Sequence, residues 1–247
     1  MMEVIVSLTI VIVATFAIFN IGVFSTKIEL SLSSLEYINS QLKYQIILLA
    51  IAFVVLSIIY FVNSESLITF LSIGNITAPA SKVTWLGISE GTSWLALGSI
   101  LSFVITLGTF TFIYFGFRRS SVKLLKIVPF ISWILFFSFT NSFSEEIIFR
   151  LGVIVPLFGL IDPEYILLIS AILFGLPHLR GMPSGIVGAF MAGFLGWILA
   201  KSVIETEGIL WAWGIHFLQD IVIYTAFVMA SIHKSLLNSK KASSLFV

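Results

Sequence analysis

Three charged residues near the middle of the chain have types and spacings that suit acid–base chemistry. Glu145, Glu146 and Arg150 lie within the otherwise apolar run SEEIIFR, residues 144–150. Glu146 and Arg150 are one helical turn apart and can form a salt bridge on one face. Glu145 is rotated by about 100° from Glu146 around a helix and can face a different direction. The spacing therefore predicts one carboxylate with a structural role and one that is free for proton transfer.

Two histidines and an aspartate later in the chain can approach these carboxylates. His216 and Asp220 are separated by four residues, so both can point at one spot in a helical bundle. Glu145 lies about as far before the turn at Asp162 as His178 lies after it. Two antiparallel helices would bring Glu145 and His178 to similar depth. We therefore expect a carboxylate and an imidazole to meet there.

The composition indicates that these polar residues lie in a membrane. Hydrophobic residues make up 59% of the 247 positions and charged residues only 10%, against roughly 25% charged in an average soluble protein. A charged side chain near the bilayer centre costs about 3 kcal/mol, so such a residue is by default a candidate for function. The chain has no cysteine, which excludes disulfides and thiolate chemistry. It also lacks the basic surface expected for binding nucleic acid.

The elements that must position these residues are predicted to form an all-α bundle of about seven transmembrane helices. Several apolar stretches reach the roughly 20 residues that span a bilayer. The predicted spans are residues 4–24, 44–62, 94–117, 129–160, 165–179, 184–203 and 209–231. Residues 63–93 are predicted to form an interfacial helix and a loop. Every ionisable residue inside an apolar segment follows Ile127, which divides the chain into N-terminal helices (1–126) and a chemical core with a tail (127–247), within one structural domain.

A basic connection sets the expected orientation in the membrane. Its cations are Arg118, Arg119, Lys123 and Lys126. The positive-inside rule makes this connection cytoplasmic, so alternation places the N-terminus outside and the C-terminal tail, with His233 near its start, inside. Residues 201–208 then lie outside, with Glu205 and Glu207 in a wet loop. We expect a multi-pass protein of a prokaryotic cell membrane.

Three motifs in order resemble a known family. They are Glu-Glu-x-x-x-Arg from Glu145 to Arg150, Phe-x-x-x-His from Phe174 to His178, and His-x-x-x-Asp from His216 to Asp220. This pattern on successive hydrophobic helices resembles the CPBP family, which comprises type II CAAX prenyl endopeptidases, bacteriocin-processing enzymes and abortive-infection proteins. The resemblance covers about residues 127–231.

The resemblance implies a glutamic intramembrane endopeptidase that needs no cofactor. By motif position, Glu145 would activate water, with His178 helping to hold it. His216 and Asp220 would face the carbonyl oxygen as it becomes negative, and Glu146 and Arg150 would brace the helix. Amide hydrolysis needs such a base, an oriented water and donors to the oxyanion. The implied partners are membrane lipid and a membrane-associated or prenylated protein substrate.

Two features modify the pattern. Relatives often have Asn at the last motif position, whereas Asp220 can donate a hydrogen bond only when protonated, so here it can instead accept one and orient His216. Pro177 directly precedes His178 and predicts a kink in that helix. Either feature is compatible with a catalytically silent scaffold or immunity protein that retains the fold.

Other interpretations of the same residues stay open at this stage. Residues 142–145 also match a capping box, so the glutamates could merely begin a helix after a break at Thr140 and Asn141. Glu145, His178 and His216 are acceptable Zn²⁺ ligands by type, although the chain has no H-E-x-x-H helix. The same buried groups could also serve a small transporter, although the chain has no repeated halves.

Overall fold

The computed structural model describes residues 2–116, 124–181 and 184–244, and in these ranges the chain is helical with two isolated β-bridges. The helices are α1 (Met2–Phe19), α2 (Ile21–Ser25), α3 (Glu36–Leu71), α4 (Trp94–Gly116), α5 (Ile131–Glu146), α6 (Gly152–Leu157), α7 (Pro163–Gly175), α8 (Gly185–Thr206) and α9 (Leu210–Ser244). The all-α bundle predicted from the sequence is confirmed.

Four of these helices are long and apolar enough to cross a membrane. They cover Glu36–Leu71, Trp94–Phe115, Gly185–Thr206 and Leu210–Asn238, and shorter apolar helices cover Leu8–Phe19 and Pro163–Leu179. The predicted span at 129–160 is present as α5 and α6 with one wide turn between them. Three of the four cations used to orient the chain, Arg118, Arg119 and Lys123, lie outside the described residues. The cytoplasmic assignment of that connection stays a prediction.

Helix α3 extends much further than the predicted second span. Its backbone breaks at Asn63 (φ −156°, ψ 79°), where the side-chain oxygen accepts a hydrogen bond from Ser66 N at 3.0 Å. Asn63 therefore caps the start of a last helical segment within α3, as asparagine does at helix N-termini. The short helix predicted within residues 63–93 is present as this last segment, which ends at Leu71, and its position at the membrane interface stays a prediction.

The loop after α3 is fastened to the turn between α8 and α9. Asn75 N donates to Thr206 O at 2.7 Å and Ile209 N donates to Ser72 O at 2.9 Å. A Cβ on Gly208 would lie 2.4 Å from the Gly74 backbone, so the two segments touch only because both positions are glycine. Residues 72–75 and 206–209 therefore share one end of the bundle.

Helix α8 continues through most of the segment predicted to be a wet loop. Glu205 is helical and forms an ion pair with the buried Lys201, and its other oxygen accepts from the indole N–H of Trp94 at 2.8 Å. The prediction that Glu205 lies in a loop was wrong, because Glu205 is helical, and its partners from α4 and the preceding loop favour partial burial of this acid. Glu207 is exposed at the left-handed residue that ends α8, so for it the prediction of a loop is confirmed.

Helices α7 and α8 pack closely because small residues face each other. A Cβ on Gly175 would lie 2.6 Å from Ala189 O, and one on Gly196 would lie 3.0 Å from the Phe174 ring. Small residues at such crossings let two backbones approach within a membrane. Close packing at this crossing fixes the end of α7, where His178 lies.

Candidate active site

The two glutamates end an uninterrupted α-helix. Helix α5 runs from Ile131 through Glu146, and a π-helical turn follows at Ile147–Leu151. The capping-box interpretation was wrong, because no helix begins at residues 142–145. Such single π-turns inside helices are frequent at functional sites. Ser170 Oγ on α7 donates to Phe149 O at 2.7 Å and so provides a partner for a carbonyl of this wide turn.

Glu146 and Arg150 form the predicted salt bridge, and both are completely buried. Arg150 Nε lies 2.9 Å from Glu146 Oε2, and Arg150 Nη2 donates to Glu146 Oε1 at 3.0 Å. The guanidinium carbon also lies 4.2 Å from the centre of the Phe174 ring. A buried charge needs partners of this kind to offset the loss of water.

Glu146 has a second partner that the spacing did not predict. His216 Nδ1 lies 2.8 Å from Glu146 Oε1. A carboxylate paired with a guanidinium is an acceptor, so Nδ1 carries the proton and donates to it. Glu146 thereby orients the imidazole as well as holding Arg150. The Nε2 atom then carries a hydrogen only when His216 is an imidazolium.

The other imidazole nitrogen of His216 lies between two further carboxylates. Its Nε2 is 3.6 Å from Glu145 Oε2 and 3.9 Å from Asp220 Oδ1. Both distances are too long for a direct hydrogen bond, and a water molecule can mediate polar contacts of this length. The structure therefore brings Glu145, His216 and Asp220 together around one atom.

His178 is placed next to Phe174 rather than next to Glu145. Helix α7 ends at Gly175 and continues as a 3₁₀ turn over Leu176–Leu179, so the irregularity expected at Pro177 is present. Pro177 has no N–H to donate to the helix, which accounts for the irregularity. The side chain of His178 is held nearby, with Nδ1 3.1 Å from Phe174 O. No hydrogen bond or ion pair within 4.0 Å joins His178 to Glu145. The expected direct pair is therefore not formed.

Phe174 connects the two histidines. Its ring centre is 5.3 Å from that of His178 and 5.7 Å from that of His216. The same ring lies against Arg150. The first residue of the Phe-x-x-x-His motif is thus the packing surface on which both imidazoles and the guanidinium rest.

Asp220 has an amide partner that the sequence analysis missed. Asn141 Nδ2 donates to Asp220 Oδ2 at 3.1 Å, whereas no hydrogen bond links Asp220 to His216, their closest distance being 3.9 Å. Glu146 is thus the direct acceptor for His216 Nδ1, while the role expected for Asp220 in orienting His216 stays a prediction. Asn141 lies one turn before Glu145 on α5, and that spacing could have indicated it.

A second amide, Gln45 on α3, supports Asn141 from the N-terminal part of the chain. Its Nε2 lies 3.4 Å from Asn141 Oδ1 and 3.1 Å from the Tyr224 hydroxyl oxygen, and its Oε1 accepts from Thr140 Oγ1 at 2.8 Å. Gln45 is completely buried. A lone amide in an apolar span could have been identified as a helix-to-helix hydrogen bonder.

Within the described residues, no group of three or more His, Asp or Glu side chains is placed to hold a metal ion. This holds for Glu145, His178 and His216, the set considered for Zn²⁺. A catalytic zinc site needs three protein ligands around one point. Whether the activity needs a metal ion stays a prediction.

The fold and the site together define a class of protein. The chain is an integral membrane protein whose buried centre combines two glutamates, an arginine, an aspartate and a histidine. Residues 127–222 match the model of the Rce1-like type II CAAX prenyl endopeptidase family. The resemblance drawn from the three motifs is confirmed over this segment, and the match supports endopeptidase activity within the membrane. No curated protein and no solved structure matches the chain.

Proposed function

We propose that the protein hydrolyses a peptide bond within the membrane by using Glu145 to activate water. The observation that carries this proposal is the contrast between two adjacent carboxylates. Glu146 has both oxygens engaged by Arg150 and His216. Glu145 is 8% exposed, and its one ion-pair contact among the described residues is His216 Nε2 at 3.6 Å. A carboxylate without a close donor is the better proton acceptor.

The distances suggest how the step would proceed. A water molecule held near Glu145 Oε2 and His216 Nε2 gives a proton to Glu145 while its oxygen bonds to the substrate carbonyl carbon. The carbonyl electron pair moves to oxygen, and the Nε2–H of protonated His216 donates to that oxyanion. The C–N bond then breaks, and Glu145 passes its proton to the leaving nitrogen. The products are a carboxyl group, with the oxygen of the water, and an amine.

The remaining site residues take supporting roles in this proposal. Glu146 holds the His216 ring with Nε2 directed at the reacting atoms, and Arg150 offsets the charge of Glu146. Asp220, 3.9 Å from His216 Nε2, limits rotation of the imidazole towards α9. His178 helps to hold the water or the substrate, at more than 4.0 Å from Glu145. The step needs no cofactor.

The substrate class follows from the surroundings and the family match. Helix α4 exposes large apolar side chains, among them Phe103, Phe110 and Phe112, as expected of a helix that faces lipid, and the proposed site lies within the same membrane protein. The family description names CAAX prenyl endopeptidases. We infer that the substrate is a prenylated protein or another membrane-associated chain.

A cleavage assay in lipid tests the proposed function. Purified protein in liposomes is incubated in H₂¹⁸O with a farnesylated CAAX peptide, and the products are analysed by mass spectrometry. We expect cleavage with one ¹⁸O in the new carboxyl group. The unprenylated peptide serves as the matched substrate control and should react more slowly. Absence of cleavage of this peptide and of all membrane proteins in a cell-wide comparison would favour a transporter or a silent scaffold instead.

A further inference from the structure

The Asn141 side chain is a buried amide whose orientation is fixed from two sides. Asn141 Oδ1 lies 3.4 Å from the donor Gln45 Nε2. Asn141 Nδ2 lies 3.1 Å from the acceptor Asp220 Oδ2. An ionised Asp220 accepts hydrogen bonds only, so its contact with Asn141 favours the nitrogen at this position, and the assigned orientation of Gln45 agrees with it. The NH₂ group therefore faces the same carboxylate that lies beside His216.

One hydrogen of that NH₂ group has no acceptor among the described residues. An amide nitrogen carries two hydrogens, and the bond to Asp220 uses one. Asn141 lies four residues before Glu145 on α5, so the two side chains lie on neighbouring parts of one helix face. The second N–H is thus a free donor one turn from the proposed base.

A hydrogen-bond network holds this donor in place. Gln45 Nε2 also donates to the Tyr224 hydroxyl at 3.1 Å, and Gln41 Nε2 donates to the same hydroxyl at 3.0 Å. Thr140 Oγ1 donates to Gln45 Oε1 at 2.8 Å. The network joins α3, α5 and α9. A donor held in this way needs little reorganisation when charge develops near it.

We infer that Asn141 is a further catalytic residue, which donates its second amide hydrogen to the substrate carbonyl oxygen as that oxygen becomes negative. The inference rests on the proposed hydrolysis. His216 Nε2 supplies one donor to the oxyanion, and Asn141 Nδ2 supplies another from the opposite side of Asp220. Asp220 is then the anchor of the amide, and its own carboxylate need not donate. No bond is made or broken at Asn141 itself.

Substitution of Asn141 tests the inference by steady-state kinetics on the farnesylated peptide in liposomes. Asn141→Ala should lower kcat by about a hundredfold to a thousandfold, the usual effect of losing one oxyanion donor, with little change in KM. Asn141→Leu fills the volume of the amide and should show the same loss. Thr111→Val removes an exposed hydroxyl on α4 that bonds to Leu107 O of its own helix, outside the network, and is the control, with an expected change of less than about fivefold.

Binding of a tetrahedral mimic separates catalysis from structural support. The probe is a phosphonate analogue of the same farnesylated peptide. Affinity for the phosphonate should fall in parallel with kcat in both Asn141 variants, while affinity for the uncleaved peptide in a Glu145→Gln background should not change. Equal losses of affinity for both ligands, or a kcat within about fivefold of wild type in either folded variant, would overturn the inference. Failure of the wild-type protein to cleave any peptide would instead reject the proposed function.

Discussion

Glu146 Oε1 lies 2.8 Å from His216 Nδ1, although the two residues are 70 positions apart in the chain. This contact joins the end of α5 to the first third of α9. It fixes which nitrogen of the imidazole carries the proton, and it directs the other nitrogen towards Glu145 and Asp220. Glu146 therefore determines the geometry of the site without being free for proton transfer itself.

Glu145→Gln should abolish most of the peptide cleavage, because an amide keeps the shape of the side chain but cannot accept the proton of water. We expect kcat to fall by at least about a hundredfold, with little change in unfolding temperature. Glu164→Gln, at an exposed position near the start of α7, is the matched control and should retain activity. Equal cleavage rates for wild type and Glu145→Gln would remove Glu145 from the mechanism.

Glu146→Gln should destabilise the fold as well as lower activity. The substitution leaves the completely buried Arg150 without its carboxylate, at an expected cost of about 3–5 kcal/mol. Thermal unfolding in detergent measures this loss. The double variant Glu146→Leu with Arg150→Met removes both charges and should recover much of the stability but not the activity. An unfolding temperature like that of wild type for Glu146→Gln would show that the pair contributes little.

Gly175→Ala should separate α7 from α8, because the new Cβ would lie 2.6 Å from Ala189 O. The backbone must shift, and overpacking of this kind costs about 1–3 kcal/mol. The shift would also displace His178, three residues later, so cleavage should slow. Gly108→Ala in α4 meets nothing within 4 Å and should leave stability unchanged or raise it slightly. If the two variants behave alike in unfolding and cleavage assays, close packing at Gly175 is unimportant.

Exhaustive chelation should leave cleavage unchanged, since the proposed step uses only side chains and water. The measurement combines peptide cleavage after treatment with EDTA and 1,10-phenanthroline with elemental analysis of the purified protein. We expect no stoichiometric zinc. Activity that is lost on chelation and restored by Zn²⁺ would instead favour the metal-dependent mechanism.

The sequence predicted the parts of the site that depend on spacing within one helix. The Glu146–Arg150 pair and the shared direction of His216 and Asp220 follow from four-residue separations, which fix the geometry locally. The partners of Glu145 and Glu146 across helices could not be predicted in this way. Hairpin spacing matched Glu145 with His178 in depth, but the rotation of each helix about its own axis decides the contact, and that rotation depends on packing.

The helices that hydrophobicity determines were predicted from the sequence. The features that depend on individual polar side chains were missed. Apolar runs indicated the helices of the bundle. The break at Asn63 and the partly buried Glu205 depend on individual hydrogen bonds, one donated by Ser66 N and one donated by the Trp94 indole. Such bonds can keep a polar segment helical or buried, and composition alone does not reveal them.

Gln45 belongs to the N-terminal helices, outside the segment that matches the family model, yet it contacts Asn141, a residue beside the proposed catalytic centre. A chimera could join residues 127–247 to the N-terminal helices of another family member. It would lose this contact unless the helix equivalent to α3 carried an amide at the position of Gln45. The activity of such chimeras should therefore depend on whether an amide is present at that position, even when every motif residue is retained.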